Sequence, residues 1–176
     1  MSAIPGQREL PDILQQVQSI QWNLLHDCRL LLRGAVAFGP LCHTQTACFG
    51  PALVEAYDRC KGEMAPRVLI CDPLLQALQH QHGERVGQVG LISQDRDGAW
   101  YVDYLDRLVA MSRGDRSMVG GVMPGILREF RPRIVDGYQS AKANERAHAK
   151  WAWIIEHFNR KLSEYAIDGV DPIPPT

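Results

Sequence analysis

A sharp step from strand to helix is predicted at Gly50-Pro51. Glycine allows a tight change of chain direction, and proline suits the first turn of a helix. Such a step turns the first helical amide groups, near Ala52 and Leu53, outward, and a helix N-terminus attracts anionic groups. The sequence therefore predicts that a phosphate can bind at the start of this helix.

Arg33 is the charged residue within the apolar run LLLRGAVAF at 30–38. A guanidinium that is buried alone in such a run loses about 5 kcal/mol of solvation free energy. We therefore expect Arg33 either to pair with a carboxylate or to reach a ligand. The residues themselves leave both alternatives open.

The cysteines and histidines do not point to a metal site. Five cysteines occur without a CxxC motif, which favours free thiols. The closest histidines, His80 and His82, flank one glutamine before a glycine, a pattern typical of a loop after a helix. We predict no metal ligands among them.

The overall charge excludes two classes of partner. The chain has 176 residues, 19 Lys and Arg against 20 Asp and Glu, and a net charge of -1 without long runs of one sign. Non-specific binding to nucleic acid or to an anionic membrane is therefore not expected. No signal peptide or membrane-spanning run is evident, so we predict one cytoplasmic domain.

The elements that position these residues follow from periodicity and turn signals. The first half predicts a helix over 10–24 with one apolar face, a buried strand over 30–38, a hairpin over 41–50, a helix over 51–61, a strand over 67–71 and a helix capped by Asp72. The apolar face of the first helix is assigned to Leu10, Ile13, Val17, Ile20 and Leu24.

The second half predicts a hairpin around Asp97-Gly98, a glycine-rich loop over 111–125, a short helix over 126–134 broken by Pro132, and a long helix over 138–165. An apolar stripe on the long helix is expected to serve core or dimer packing. The stripe comprises Ala147, Trp151, Ile154, Phe158, Leu162 and Tyr165. Residues 1–167 form the domain, and 168–176 are predicted to be a disordered tail.

Four short motifs between 32 and 70 occur in a fixed order. They are Arg33-Gly34-Ala35-Val36, Phe49-Gly50-Pro51-Ala52-Leu53, Ala56-Tyr57 and Pro66-Arg67-Val68. This block resembles the central part of class III nucleotidyl cyclases and is most similar to the pyrimidine cyclases of Pycsar antiphage systems. The later segments DGAWYVDYL and KWAW also resemble that family, so the resemblance covers almost the whole chain.

The resemblance implies an α+β fold with a ferredoxin-like βαββαβ core, truncated at its N-terminus and ending in a long helix. Such enzymes join the ribose 3′-oxygen to the α-phosphorus and release diphosphate, with Mn²⁺ or Mg²⁺ held by two aspartates. Both aspartates precede the first helix in the family, and this sequence has neither. Met1 to Ile4 resemble the end of the preceding hairpin strand, so we expect either a start further upstream or a truncated gene.

The implied function is a homodimeric cyclase that converts UTP to cyclic UMP for a separate cyclic-nucleotide-sensing effector. Cyclic CMP from CTP is the alternative substrate choice. A catalytically dead module that dimerises or binds nucleotide, and an unrelated α+β domain, also stay open. Catalytic residues are left unassigned.

Substrate-binding roles are expected for Arg33, Phe49, Gly50, Arg59 and Lys61, although Arg59 and Lys61 lie in a stretch where the family usually has a glutamate. A structural ion pair is the alternative role of Arg33. Arg59 and Lys61 are either solvated surface charges or cations that reach the polyphosphate across a dimer interface.

Overall fold

The computed structural model describes residues 10–88, 90–107, 119–165 and 169–174. The chain has an α+β fold, as predicted. Its first half contains α1 (Leu10–Cys28), β1 (Gly34–Val36), β2 (Cys42–His43), β3 (Cys48–Phe49), α2 (Pro51–Lys61), β4 (Val68–Ile70) and α3 (Asp72–His82). Its second half contains β5 (Ile92–Gln94), β6 (Trp100–Val102), α4 (Val119–Ser140) and α5 (Glu145–Glu164), with short 3₁₀ turns before β5 and after β6.

A four-stranded sheet in the order β1-β4-β6-β5 forms the centre of the fold. β1 and β4 are parallel, whereas the β4–β6 and β6–β5 pairs are antiparallel. β2 and β3 form a separate hairpin, as predicted. Among the described residues, β1 has a strand partner on one edge only.

The core consists of two buried clusters. One lies where Leu10 and Leu14 of α1 and Leu74 and Leu78 of α3 pack against Val68 and Ile70 of β4. Side chains of a strand alternate between faces, so Tyr101 of β6 points the other way and contacts Trp153 and His157 of α5. The second cluster joins α1, α4, α5 and residues 169–174.

The buried face of α1 differs from the predicted one. Ile20 is 53% exposed, and the fully buried positions are Leu10, Leu14, Gln18, Gln21 and Leu25. The Gln18 side chain explains the rotation, because its Nε2 donates to the main-chain oxygens of Gly90 (2.6 Å) and Asp103 (2.7 Å). An apolar side chain at 18 would leave these buried carbonyls unpaired.

The helices of the second half also correct the prediction. Residues 119–125 are helical rather than loop, and α4 continues through Pro124 and Pro132. Burial of Met123, Leu127, Phe130, Ile134 and Tyr138 along one face outweighs the helix-breaking cost of about 3 kcal/mol per proline. The predicted loop over 111–118 lies outside the described residues.

Three further predictions are corrected. The long helix begins at Glu145 rather than 138, because the Asn144 side chain caps it by accepting from the Ala147 N–H (3.0 Å). The N-cap of α3 is Cys71, and Asp72 lies in the first turn. The segment 169–174 is packed rather than disordered: Val170 and Ile173 are buried, and Asn159 bonds both main-chain groups of Ile173.

The predicted strand end at Met1 to Ile4 falls outside the described residues. The stripe on α5 packs into the core, with Trp151, Ile154, Phe158 and Leu162 buried. None of the described helices is both long enough and apolar enough to span a bilayer.

Gly137 on α4 gives a first stability test. A Cβ at this position would overlap the indole ring of Trp151, which lies directly against the helix. We expect Gly137→Ala to lower the free energy of unfolding by about 2 to 3 kcal/mol, as overpacking of a rigid ring does. Gly125→Ala on the same helix meets no neighbour within 4 Å and will stabilise by about 0.5 to 1 kcal/mol. Urea denaturation measures both, and equal losses would contradict the packing described.

Candidate functional site

The β2–β3 hairpin and α2 form a continuous unit in which Gly50 makes the connection. Gly50 has φ 145° and ψ 170°, and a Cβ there would lie 2.7 Å from the carbonyl oxygen of Pro40. Both the positive φ and the close approach of the backbone require glycine. The predicted strand-to-helix step at Gly50-Pro51 is therefore present.

The first amide groups of α2 do not point outward, so this prediction is wrong. The Ala52 N–H donates to the Pro40 carbonyl (3.3 Å), and the Leu53 and Val54 N–H groups donate to the Gly50 carbonyl (3.1 and 3.2 Å). Pro51 has no N–H. The turn at Gly50 carries the Pro40 carbonyl over the helix start, which leaves no free amide there for a phosphate.

Arg33 lies just before β1 and is exposed rather than buried in a strand. Its Nη1 donates to the main-chain oxygen of Glu63 at 2.6 Å. The predicted strand over 30–38 is hydrogen-bonded only over 34–36, and this shortening leaves Arg33 outside it. A carboxylate partner is therefore not required by burial.

Arg59 and Lys61 are exposed in the last turn of α2, and the Lys61 ammonium lies 6.0 Å from the centre of the Tyr57 ring. Arg33 is bonded to Glu63, so it lies at the same end. Gly50 is about 14 Å away along the helix axis at 1.5 Å per residue. Within one chain the cations and the Phe49-Gly50 step therefore occupy opposite ends of α2.

An exposed apolar surface, here called the α2 face, covers the hairpin and the outer side of α2. It consists of Leu41, Phe49, Leu53, Val54 and Tyr57. Phe49 is 58% exposed and Tyr57 62%. Large apolar side chains grouped in this way mark interaction surfaces in soluble proteins.

The resemblance singled out Arg67 only as part of a motif, yet it is a central buried charge. Its guanidinium bonds three carboxylates: Glu63 (2.9 Å), Asp95 (2.6 Å) and Asp97 (2.5 Å). The bond to Arg67 lowers the pKa of the Asp97 carboxyl to about 2. Arg67 thus links the end of α2, the start of β4 and the β5–β6 turn.

A second buried network joins β6 to α5. The Lys161 ammonium contacts Asp103 (2.9 Å) and Asp106 (3.0 Å), and His157 Nε2 lies 3.0 Å from Asp103. Because Arg160 can only donate, His157 Nδ1 accepts from it and Nε2–H donates to Asp103. All these side chains except Arg160 are essentially inaccessible to solvent.

The two buried carboxylates beside Lys161 have opposite pKa shifts, and the third carboxylate that contacts it, Glu164 (2.8 Å), is exposed. Burial alone would raise the pKa of Asp103. The nearby Lys161 charge and His157 outweigh the effect of burial and hold the pKa of Asp103 well below its usual range. Burial, together with the negative charge of Asp103, raises the pKa of Asp106. One ammonium therefore stabilises one full negative charge at this site and a second one only in part.

The divalent ion implied by the resemblance does not fit the residues that the structure describes. No three His, Cys, Asp or Glu side chains there converge on a point that could hold a metal. Asp95, Asp97, Asp103 and Asp106 are instead engaged by arginine or lysine.

No family model, curated protein or solved structure matches the chain.

Proposed function

We propose that the chain is a domain of a homodimeric class III pyrimidine nucleotide cyclase, which converts UTP to cyclic UMP and diphosphate in antiphage defence. One observation carries the proposal: three of the four motifs of the 32–70 block fall at structural junctions of a single unit, and the fourth, Ala56-Tyr57, lies within α2. Arg33-Gly34 opens β1, Phe49-Gly50-Pro51 joins β3 to α2, and Pro66-Arg67 opens β4. The position of these three motifs at the turns of one unit is what supports the proposal.

The second copy is proposed to cover the α2 face. Two α2 helices packed antiparallel through this surface bring the Phe49-Gly50 end of one beside the Arg59 and Lys61 end of the other. The five substrate-binding residues then converge, which they do not within one chain. Apolar burial supplies the association energy at about 25 cal/mol per Å², and the cations attract the polyphosphate.

The metal ligands are proposed to come from strands added at the free edge of β1. The three residues of β1, Gly34–Val36, carry no charged side chain of the kind that usually protects an open edge. CTP is the alternative substrate. A dimerising, nucleotide-binding module without turnover is the second candidate, favoured because Arg67 and Lys161 already engage the central carboxylates of the described part.

Nucleotide binding tests the proposal. We expect isothermal titration of the recombinant chain to show UTP or CTP bound at least about tenfold more tightly than ATP. Arg59→Ala and Lys61→Ala will each weaken UTP binding by about 10- to 100-fold, the usual size of a charge-assisted contact. Arg146→Ala, an exposed arginine on α5, is the control and will leave the affinity unchanged.

Equal affinity for UTP and ATP, or no effect of either α2 substitution, would contradict the proposal. Product analysis with Mn²⁺ distinguishes the active cyclase from the nucleotide-binding module without turnover. Cyclic UMP produced by this chain alone would contradict the statement that added strands supply the metal ligands.

A further inference from the structure

Glu63, in the loop between α2 and β4, makes contacts in two directions. Its carboxylate accepts from Arg67 Nε (3.0 Å) and Nη2 (2.9 Å) and from the Ala65 N–H (2.7 Å). Its main-chain oxygen accepts from Arg33 Nη1 (2.6 Å). The Glu63 carboxylate is therefore held by the buried guanidinium of Arg67, and the Glu63 carbonyl binds the exposed guanidinium of Arg33.

The carboxylate contacts make the position of the Glu63 carbonyl rigid. The Glu63 carboxylate is only 9% exposed, and Arg67 is itself held by Asp95 and Asp97 of the β5–β6 turn. The additional bond to Ala65 closes the loop over residues 63–65. The acceptor for Arg33 is consequently part of a cross-linked framework and not of a free loop.

Arg33 is held at one point and open elsewhere. An exposed arginine samples many rotamers, and ordering it costs about 2 kcal/mol of side-chain entropy. The bond to Glu63 uses one of its five N–H groups, and within the described part of the chain no other hydrogen bond or ion pair of Arg33 occurs. Four donors thus stay available, in the planar arrangement that binds two phosphate oxygens at once.

We infer that Glu63 is a positioning residue that orients Arg33 toward the phosphates of the bound nucleotide. This inference rests on the proposed function, in which Arg33 contacts substrate. Glu63 itself touches no ligand. It acts through its carbonyl, and its carboxylate keeps that carbonyl in place.

A double-mutant cycle on Glu63 and Arg33 tests the inference, with UTP and inorganic diphosphate as separate probes in titration calorimetry. We expect Arg33→Ala to weaken binding of both probes by about tenfold, and Glu63→Ala by about three- to tenfold. In the double variant the loss will equal that of Arg33→Ala alone, because Glu63 has nothing left to position. If Glu63 had a purely structural role, the losses of binding free energy from the two substitutions would add.

Asn159→Ala controls for destabilisation. This substitution removes both bonds to Ile173 and lowers the melting temperature without removing a hydrogen bond of the α2–β4 loop. It will leave both affinities within about twofold of the parent. If it weakens binding as much as Glu63→Ala does, the effect of Glu63 is one of stability and the inference is overturned.

The two probes separate the failure of this inference from that of the proposed function. Diphosphate binding that shows the coupling, without preferential UTP binding, supports the role of Glu63 and overturns the cyclase proposal. Binding of both probes with additive losses overturns the role of Glu63 alone. Binding of neither probe overturns both.

Discussion

Lys161→Met will lower the free energy of unfolding by about 3 to 5 kcal/mol, the usual result of removing one partner of a buried ion pair. Methionine keeps the length and packing of the lysine stem but leaves Asp103 and Asp106 without their ammonium. The loss is a large fraction of the 5 to 15 kcal/mol that typically stabilises a domain of this kind. Urea denaturation at pH 7 measures it.

Two comparisons make the Lys161 result specific. Lys142→Met, at an exposed position between α4 and α5, will change stability by less than about 0.5 kcal/mol. Adding Asp106→Asn to Lys161→Met will restore part of the loss, because Asp106 already has a raised pKa and the amide removes the orphaned charge. A Lys161→Met variant as stable as the parent would show that this network does not hold β6 to α5.

Arg67→Ala will be the second most damaging substitution, at about 3 kcal/mol. It leaves the buried Glu63 carboxylate without its cation, with only the Ala65 N–H as a hydrogen-bond donor, whereas Asp95 keeps Arg160 and Asp97 can turn to solvent. The effect will depend on pH through Asp97. The folded pKa of Asp97 is about 2 and therefore depressed, so its contribution is complete above the unfolded pKa of about 3.9 and is lost as pH falls toward 2.

The stability difference between the parent and Arg67→Ala should therefore narrow between about pH 4 and pH 2. Arg96→Ala is the matched control, because Arg96 lies in the same turn and pairs with Glu156 while 76% exposed. We expect it to cost less than about 1 kcal/mol at every pH. A constant difference across the acid range would contradict the assignment of Asp97 to Arg67.

Local signals in the sequence were sufficient for three elements of the first half of the fold. The hairpin, the helix Pro51–Lys61 and the strand before Asp72 were predicted because glycine and proline mark their ends. Arg59 and Lys61 are exposed at the end of α2, which agrees with both alternatives stated for them, solvated surface charges and cations at a dimer interface. These features depend on residues close together in the chain.

The features that sequence reasoning missed depend on distant residues. In the sequence, Gln18 is only a polar residue within an apolar helix pattern. Its burial follows from the main-chain carbonyls of Gly90 and Asp103, which lie beside it in the folded chain. The Ala52 amide at the start of α2 is occupied because the carbonyl of Pro40, ten residues before Gly50, lies over it. Arg67 and Lys161 look like ordinary surface charges, and only the folded chain brings carboxylates from separate elements around them.

Mixing two variants tests the shared nucleotide site most directly. Phe49→Ala and the Arg59→Ala/Lys61→Ala double variant each lose UTP binding as homodimers, in our account. An equimolar mixture will form mixed dimers with one intact site, restoring about a quarter of the parental number of tight UTP sites. If the mixture exchanges subunits but recovers no tight UTP binding, the site is not built between two copies of this chain.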